Sequence, residues 1–112
     1  MSKNIFEKII DRELPATIVY EDDKCLAFRD INPGAPTHVL VVPKKRIAMI
    51  ENMTEADVPL IGHLMFAATK VAKQENLVGY RLVVNDRAEA GQSVFHLHVH
   101  LLGGRPFSWP PG

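Results

Sequence analysis

The 112-residue chain has one cysteine, one tryptophan, no excess of charge of either sign and no long apolar run. Each scarcity excludes something. A lone Cys25 cannot form an internal disulfide, so a reducing compartment, the cytoplasm, is the expected location. Thirteen Lys+Arg offset thirteen Asp+Glu, leaving no electrostatic footprint for polymeric nucleic acid or an anionic membrane, though a small charged ligand stays open. No stretch approaches the roughly 18 consecutive apolar residues of a spanning helix, and the opening residues lack the apolar run of a secretory signal. The expectation is a soluble protein. With 46% hydrophobic residues the chain can build one core, so 1–112 reads as a single domain whose residues 103–112 form a Pro/Gly-rich tail.

Ile5, Phe6, Ile9 and Ile10 recur at helical spacing, which predicts a short amphipathic helix stopped before Pro15. Thr17 to Glu21 and Cys25 to Asp30 are β-type runs separated by the polar break Asp22-Asp23-Lys24, a hairpin pattern. Asn32-Pro33-Gly34-Ala35-Pro36 is turn chemistry ahead of a central strand, Thr37 to Val42. A long helix is expected over roughly Glu55 to Glu75, with Val58, Ile61, Met65, Ala68 and Ala72 on one face. Thr54 and Asp57 resemble a capping box, and Pro59 calls for a later start near Asp57 or a slight kink. Tyr80 to Asp86 and Val94 to Leu102 alternate as strands. This order favours an α+β fold with an antiparallel sheet over repeated βαβ units.

The informative excess is histidine. In Val94 to Leu102, strand alternation places His96, His98 and His100 on one face and Phe95, Leu97, Val99 and Leu101 on the other, the core face. A polar strand face that merely uses histidine is one reading, and a metal site is a second. Three rings spread over roughly 13 Å of strand reach one ion only with a bulge and an outside ligand. The third reading is catalysis at a phosphate. A neutral imidazole is a nucleophile near its pKa of about 6.5, and a neighbouring one can bind phosphoryl oxygens or protonate a leaving group. Backbone or hydroxyl donors near Gly91 and Ser93 would complete such a site.

Further segments narrow the choice. His96-Leu-His98-Val-His100-Leu-Leu, Ala27 to Pro33, Ala35 to Lys45, Val83-Val84-Asn85, Gly91 to Val94 and Trp109-Pro110-Pro111-Gly112 together resemble the histidine-triad (HIT) family, in its nucleotide-binding, purine nucleoside phosphoramidase branch. The similarity runs along almost the whole chain. It implies a HIT-like fold with about five antiparallel strands, a short N-terminal helix and one long helix, and a homodimer whose protomers join their sheets. It implies hydrolysis of purine nucleoside 5′-phosphoramidates or aminoacyl adenylates, with no cofactor and no metal. The alternative is a non-catalytic purine-nucleotide-binding or scaffold protein.

By the same resemblance His98 attacks phosphorus, His100 binds the phosphate and, with His38, takes part in proton relay to the departing amine, and the backbone around His96 orients His98. Ser93 and Asn85 contact the phosphate region, with Gly91 allowing close approach. Asp30 takes the ribose hydroxyls. Ile5, Phe6, Ile9, Phe28 and Ile31 form the base pocket, beside Val94, and Trp109 lies near the partner protomer's site, where the tail tunes substrate choice. Other residues carry blander expectations. His63 reads as exposed or interfacial, Lys44-Lys45-Arg46 as a solvated strand end, Cys25 as structural, and Trp109 as packed on something.

Overall fold

The structure, a computed structural model, describes residues 2–112. Its main elements are α1 (Ile5–Ile10), β1 (Ile18–Glu21), β2 (Cys25–Arg29), β3 (Thr37–Pro43), α2 (Val58–Gln74), β4 (Tyr80–Val83) and β5 (Val99–Gly103). The five strands form one antiparallel sheet in the order β1-β2-β3-β5-β4, the architecture expected from the sequence. No described helix is long and apolar enough to cross a membrane.

Strand alternation divides the core into two. Ala27, Val39, Val41, Val99 and Leu101 face α2, against Leu64, Ala67, Ala68, Val71 and Ala72. Leu26, Phe28, Leu40 and Val42 face the other way, against Phe6 and Ile9 of α1. Both faces of β3 are thus buried within one chain, by α2 on one side and α1 on the other.

Both helices start on polar caps. Asn4 accepts the Glu7 N–H at 2.8 Å while Glu7 returns a bond to the Asn4 N–H, and Thr54 with Asp57 closes an equivalent box. Residues Glu55–Asp57 form a 3₁₀ turn and α2 proper begins at Val58, with Pro59 in its first turn, where the missing N–H costs nothing. The late start is therefore the outcome of Pro59. The buried stripe of α2 is centred on Leu64, Ala68 and Val71; Val58 and Met65, expected on that face, are exposed at 53% and 37%.

The largest departure concerns the histidine strand. β5 begins only at Val99, and residues 94–98 are irregular. Val99 pairs with Val41, and beyond that point the ladder gives way to other bonds: the Leu97 N–H donates to Ile47 O and the Gln92 side chain donates to Val94 O. Phe95, expected in the core, is 47% exposed as a result. Leu97, Val99 and Leu101 are buried as expected.

Candidate active site

The irregular segment turns the histidines into different tools. His96 is fully buried, and its Nε2 donates to the Pro43 carbonyl at 2.8 Å, so its Nδ1 is the unprotonated nitrogen. The carbonyl of His96 in turn accepts from Nδ1 of His98 at 2.7 Å. A carbonyl only accepts, so the proton of neutral His98 sits on Nδ1 and Nε2 carries a free lone pair. Burial, opposed by the bond to the His96 carbonyl, lowers the basicity of His98 and keeps it in that neutral form.

A second chain of bonds fixes the partner ring. The Gly34 N–H donates to Nδ1 of His38 at 2.9 Å, so His38 is protonated on Nε2, which lies 2.9 Å from Nδ1 of His100 and 3.5 Å from Oδ2 of Asp30. His100 accepts at Nδ1 and carries its proton on Nε2. That N–H is buried and has no hydrogen-bond partner among the described residues. Burial first, then the His98 and His38 rings, pull the His100 pKa down to about 4. The rings of His98 and His100 stand 4.8 Å apart, a lone pair and an N–H side by side.

Both face a cavity of about 430 Å³ lined by Ile5, Phe6, Ile9, Phe28, Asp30, Ile31, Ser93, Val94, His98 and His100, with Leu14, Pro15, Ala16, Arg29 and Leu40. Phe6 sets its ring edge-on to Phe28 at 5.5 Å and to His98 at 5.0 Å, forming the apolar floor. Ile31 is 88% exposed at the rim. Asn85 and Gly91 are not among the lining residues; they adjoin each other, Gly91 at φ +104 with the Asn85 amide 3.6 Å from where a Cβ would stand. His38 lies behind His100, and His96 beneath His98. Trp109, expected to pack, is 81% exposed and outside the cavity, because its Pro-rich tail follows the sheet edge, with Arg81 donating to Ser108 O.

Sequence reasoning misses three participants: Asn4, whose Nδ2 is 3.0 Å from Nδ1 of His96, the Pro43 carbonyl and the Gly34 N–H. Backbone groups leave no residue-type signal, and Asn4 reads simply as a helix cap. Gln92 lies in the Gly91 to Val94 motif but is given no role there; buried, it donates to Ala48 O and Val94 O, accepts from the Arg87 N–H and shapes the loop before the triad.

Away from the cavity, His63 is not free at the surface. It is half-buried with Nε2 2.7 Å from Oδ2 of Asp22, which also accepts from Tyr20 Oη at 2.9 Å, while Oδ1 accepts the Lys24 and Cys25 N–H groups. Burial works to raise the Asp22 pKa, but these donors outweigh it and hold the carboxyl well below its usual range. Lys44, Lys45 and Arg46 pair with Glu21, Asp57 and Glu7, so the basic run is neutralised locally.

Two trios of possible metal ligands occur among the described residues, Asp30-His38-His100 and Asp22-Cys25-His63, the atoms of each within 4.8 Å of one another. In the first, the 2.9 Å separation of the ring nitrogens is hydrogen-bond spacing, below the roughly 3.3 Å between two ligands of one tetrahedral zinc. In the second, the carboxylate is filled by four donors, and burial, then the Asp22 charge, pushes the Cys25 thiol up to about 12. Both arrangements serve hydrogen bonding.

Comparison with known proteins agrees with the geometry. The pattern described as the HIT domain matches residues 11–107. An uncharacterised HIT-like protein of Synechocystis is 59% identical over 109 residues, covering 96% of each chain. A protein of Zea mays named a 14 kDa zinc-binding protein is 54% identical over 114 residues, covering 99% of this chain and 89% of its own. The crystal structure of a HIT family hydrolase from Legionella pneumophila superposes with TM-score 0.96 at 50% identity, covering 98% of this chain and all of that one.

Proposed function

Because the chain belongs to the HIT family, we propose that it is a hydrolase of purine nucleoside 5′-phosphoramidates, acting through a nucleotidyl-histidine. The observation that carries this reading is the bare Nε2 of His98 beside the unpartnered Nε2–H of His100, both facing one cavity. Similar structures from Legionella pneumophila and Clostridium thermocellum, each named a HIT family hydrolase, support it.

In this scheme the base lies on Phe6, Ile9 and Phe28, the ribose hydroxyls donate to Asp30, and the phosphoryl oxygens accept from His100 Nε2–H and Ser93. An anion so placed offsets the cost of charging His100, and the His38–His100 pair takes up a proton as substrate enters. Nε2 of His98 then bonds to phosphorus as the P–N bond breaks, and that proton leaves with the amine, which would otherwise depart as a poor anion. Water attacks the nucleotidyl-histidine, an O–P bond replaces the N–P bond, and the water's proton returns to the pair. Asn85, Gly91 and Trp109 do not line this cavity within a single chain.

We extend the proposal to a homodimer. β4 is an edge strand, and exposed Tyr80 on it adjoins exposed Phe66 of α2, a free apolar edge; the opposite edge, β1, is guarded by Glu21 paired with Arg12 and Lys44.

The test is amine release from adenosine 5′-phosphoramidate by wild type and His98→Ala, with and without chelator. Chelator-resistant turnover lost in the variant supports the scheme. Bound nucleotide without turnover in wild type replaces it with a nucleotide-binding protein, and turnover abolished by chelator replaces it with metal chemistry.

A further inference from the structure

The tautomer of His96 decides the tautomer of the site. Its ring is held at both ends: Nε2 donates to Pro43 O, and Nδ1 faces the Asn4 amide at 3.0 Å. The Asn4 amide has no freedom to turn. Its Oδ1 is committed to the Glu7 N–H as the cap of α1, so Nδ2, a donor only, is the atom left for His96.

We propose that Asn4 is a positioning residue for catalysis, which uses its helix-capping geometry to present an N–H to Nδ1 of His96, holding that ring neutral and fixed so that its carbonyl aims His98. The inference rests on the function proposed above and names a residue that no motif marks. A donor at Nδ1 bars a second proton there, so His96 cannot compete for the proton that the His38–His100 pair must handle. Burial acts in the same sense. The charges facing His96 leave room for this control: Glu7 of α1 raises its basicity, His98 and Arg46 lower it, and Glu7 and Arg46 are paired at 3.0 Å. Phe6, the next residue but one along α1, packs edge-on to both His96 and His98, so the same short helix supplies the cavity floor and the tautomer lock.

Asn, Asp and Ser cap helices about equally well, so substitutions at Asn4 separate capping from the His96 contact. Asn4→Asp preserves shape and cap but turns an acceptor towards Nδ1, inviting a proton onto the ring. Asn4→Ser keeps a capping oxygen and removes the amide nitrogen.

The experiment pairs histidine-ring ¹⁵N NMR across pH with kcat and KM profiles on adenosine 5′-phosphoramidate, using helix content by circular dichroism as the folding control. In wild type, His96 titrates below the ordinary imidazole range, as its burial dictates. In Asn4→Asp it titrates at or above the ordinary value of about 6.5, and kcat at pH 6 falls about tenfold with KM little changed, a deficit that narrows as pH rises. Asn4→Ser lowers kcat by roughly threefold at all pH values, the scale of one hydrogen bond. A His96 that remains neutral in Asn4→Asp, with a kcat profile superimposed on wild type, overturns the proposal. The ring measurement needs no substrate: wild-type inactivity on the phosphoramidate defeats the proposed reaction, whereas an unshifted His96 defeats the role of Asn4.

Discussion

Two histidine–carboxylate pairs of this protein look alike and are bonded differently. His63 with Asp22 and His38 with Asp30 are both half-buried or more, and both sit beside the sheet. Around Asp22 every lone pair has a donor, from Tyr20, His63, Lys24 and Cys25, and nothing is left to meet a ligand. Around His38 the chain of bonds runs Gly34 to His38 to His100 and stops at an N–H without a partner, at a cavity wall. Residue type does not distinguish a site from a brace. The unfinished hydrogen bond does, because a buried donor without an acceptor is costly until a ligand supplies one.

The contrast can be broken at several points. The largest effect is expected for His38→Ala, which removes the ring bonded to His100 and, in the proposed scheme, its relay partner: turnover of the phosphoramidate falls at least about a hundredfold, with cooperative unfolding retained, measured by steady-state kinetics and thermal melts. His63→Ala should do the reverse, leaving kcat unchanged while chemical denaturation shows a loss of about 1–2 kcal/mol, since Asp22 loses a charge-assisted bond. Unchanged stability there would put the two pairs in one class.

Acid separates them further. His100 has a folded pKa of about 4, below its unfolded value of about 6.5, so between these values the unfolded chain binds more protons and stability falls as pH is lowered through that window. Asp22 is held below its unfolded value of about 3.9, so its contribution is present above that pH and is lost only as pH falls further. Denaturation curves at a series of pH values should therefore show two declines, and His100→Ala should make the upper one shallower, leaving the share of the buried His96 and His98 rings. Adenosine monophosphate, whose phosphate favours a charged His100, raises its folded pKa towards the unfolded value and should shrink the upper decline. The smallest effect on the fold is expected from deleting Arg105 to Gly112: substrate preference changes more than the melting temperature, and loss of cooperative unfolding would show the tail to be structural instead.

Much of the architecture is legible in the residue pattern alone. Period-2 alternation in Thr37 to Val42 and the helical spacing of Ile5, Phe6 and Ile9 predict elements that exist, because apolar patterning reports which side faces a core. The strand expected over Val94 to Leu102 fails in its first half for a reason that patterning does not contain. Its alternation is real, but the backbone from 94 to 98 bonds to Ile47, to Gln92 and, through the side chain of His98, to itself. Trp109 misleads in the opposite direction: a large aromatic suggests burial, and in one chain the tail gives it nothing to pack on.

The sequence by itself determined the sheet, the two helices, the family and the identity of the histidines, since all of these follow from local periodicity and from residue types at set spacing. Only the tertiary structure decided which nitrogen of each ring holds a proton. That choice depends on Pro43 O, the Gly34 N–H and the Asn4 amide, groups 53, 4 and 92 positions from the rings they touch. A hydrogen bond is directional and acts over about 3 Å, so a partner distant in sequence becomes visible only when the chain has folded it into place.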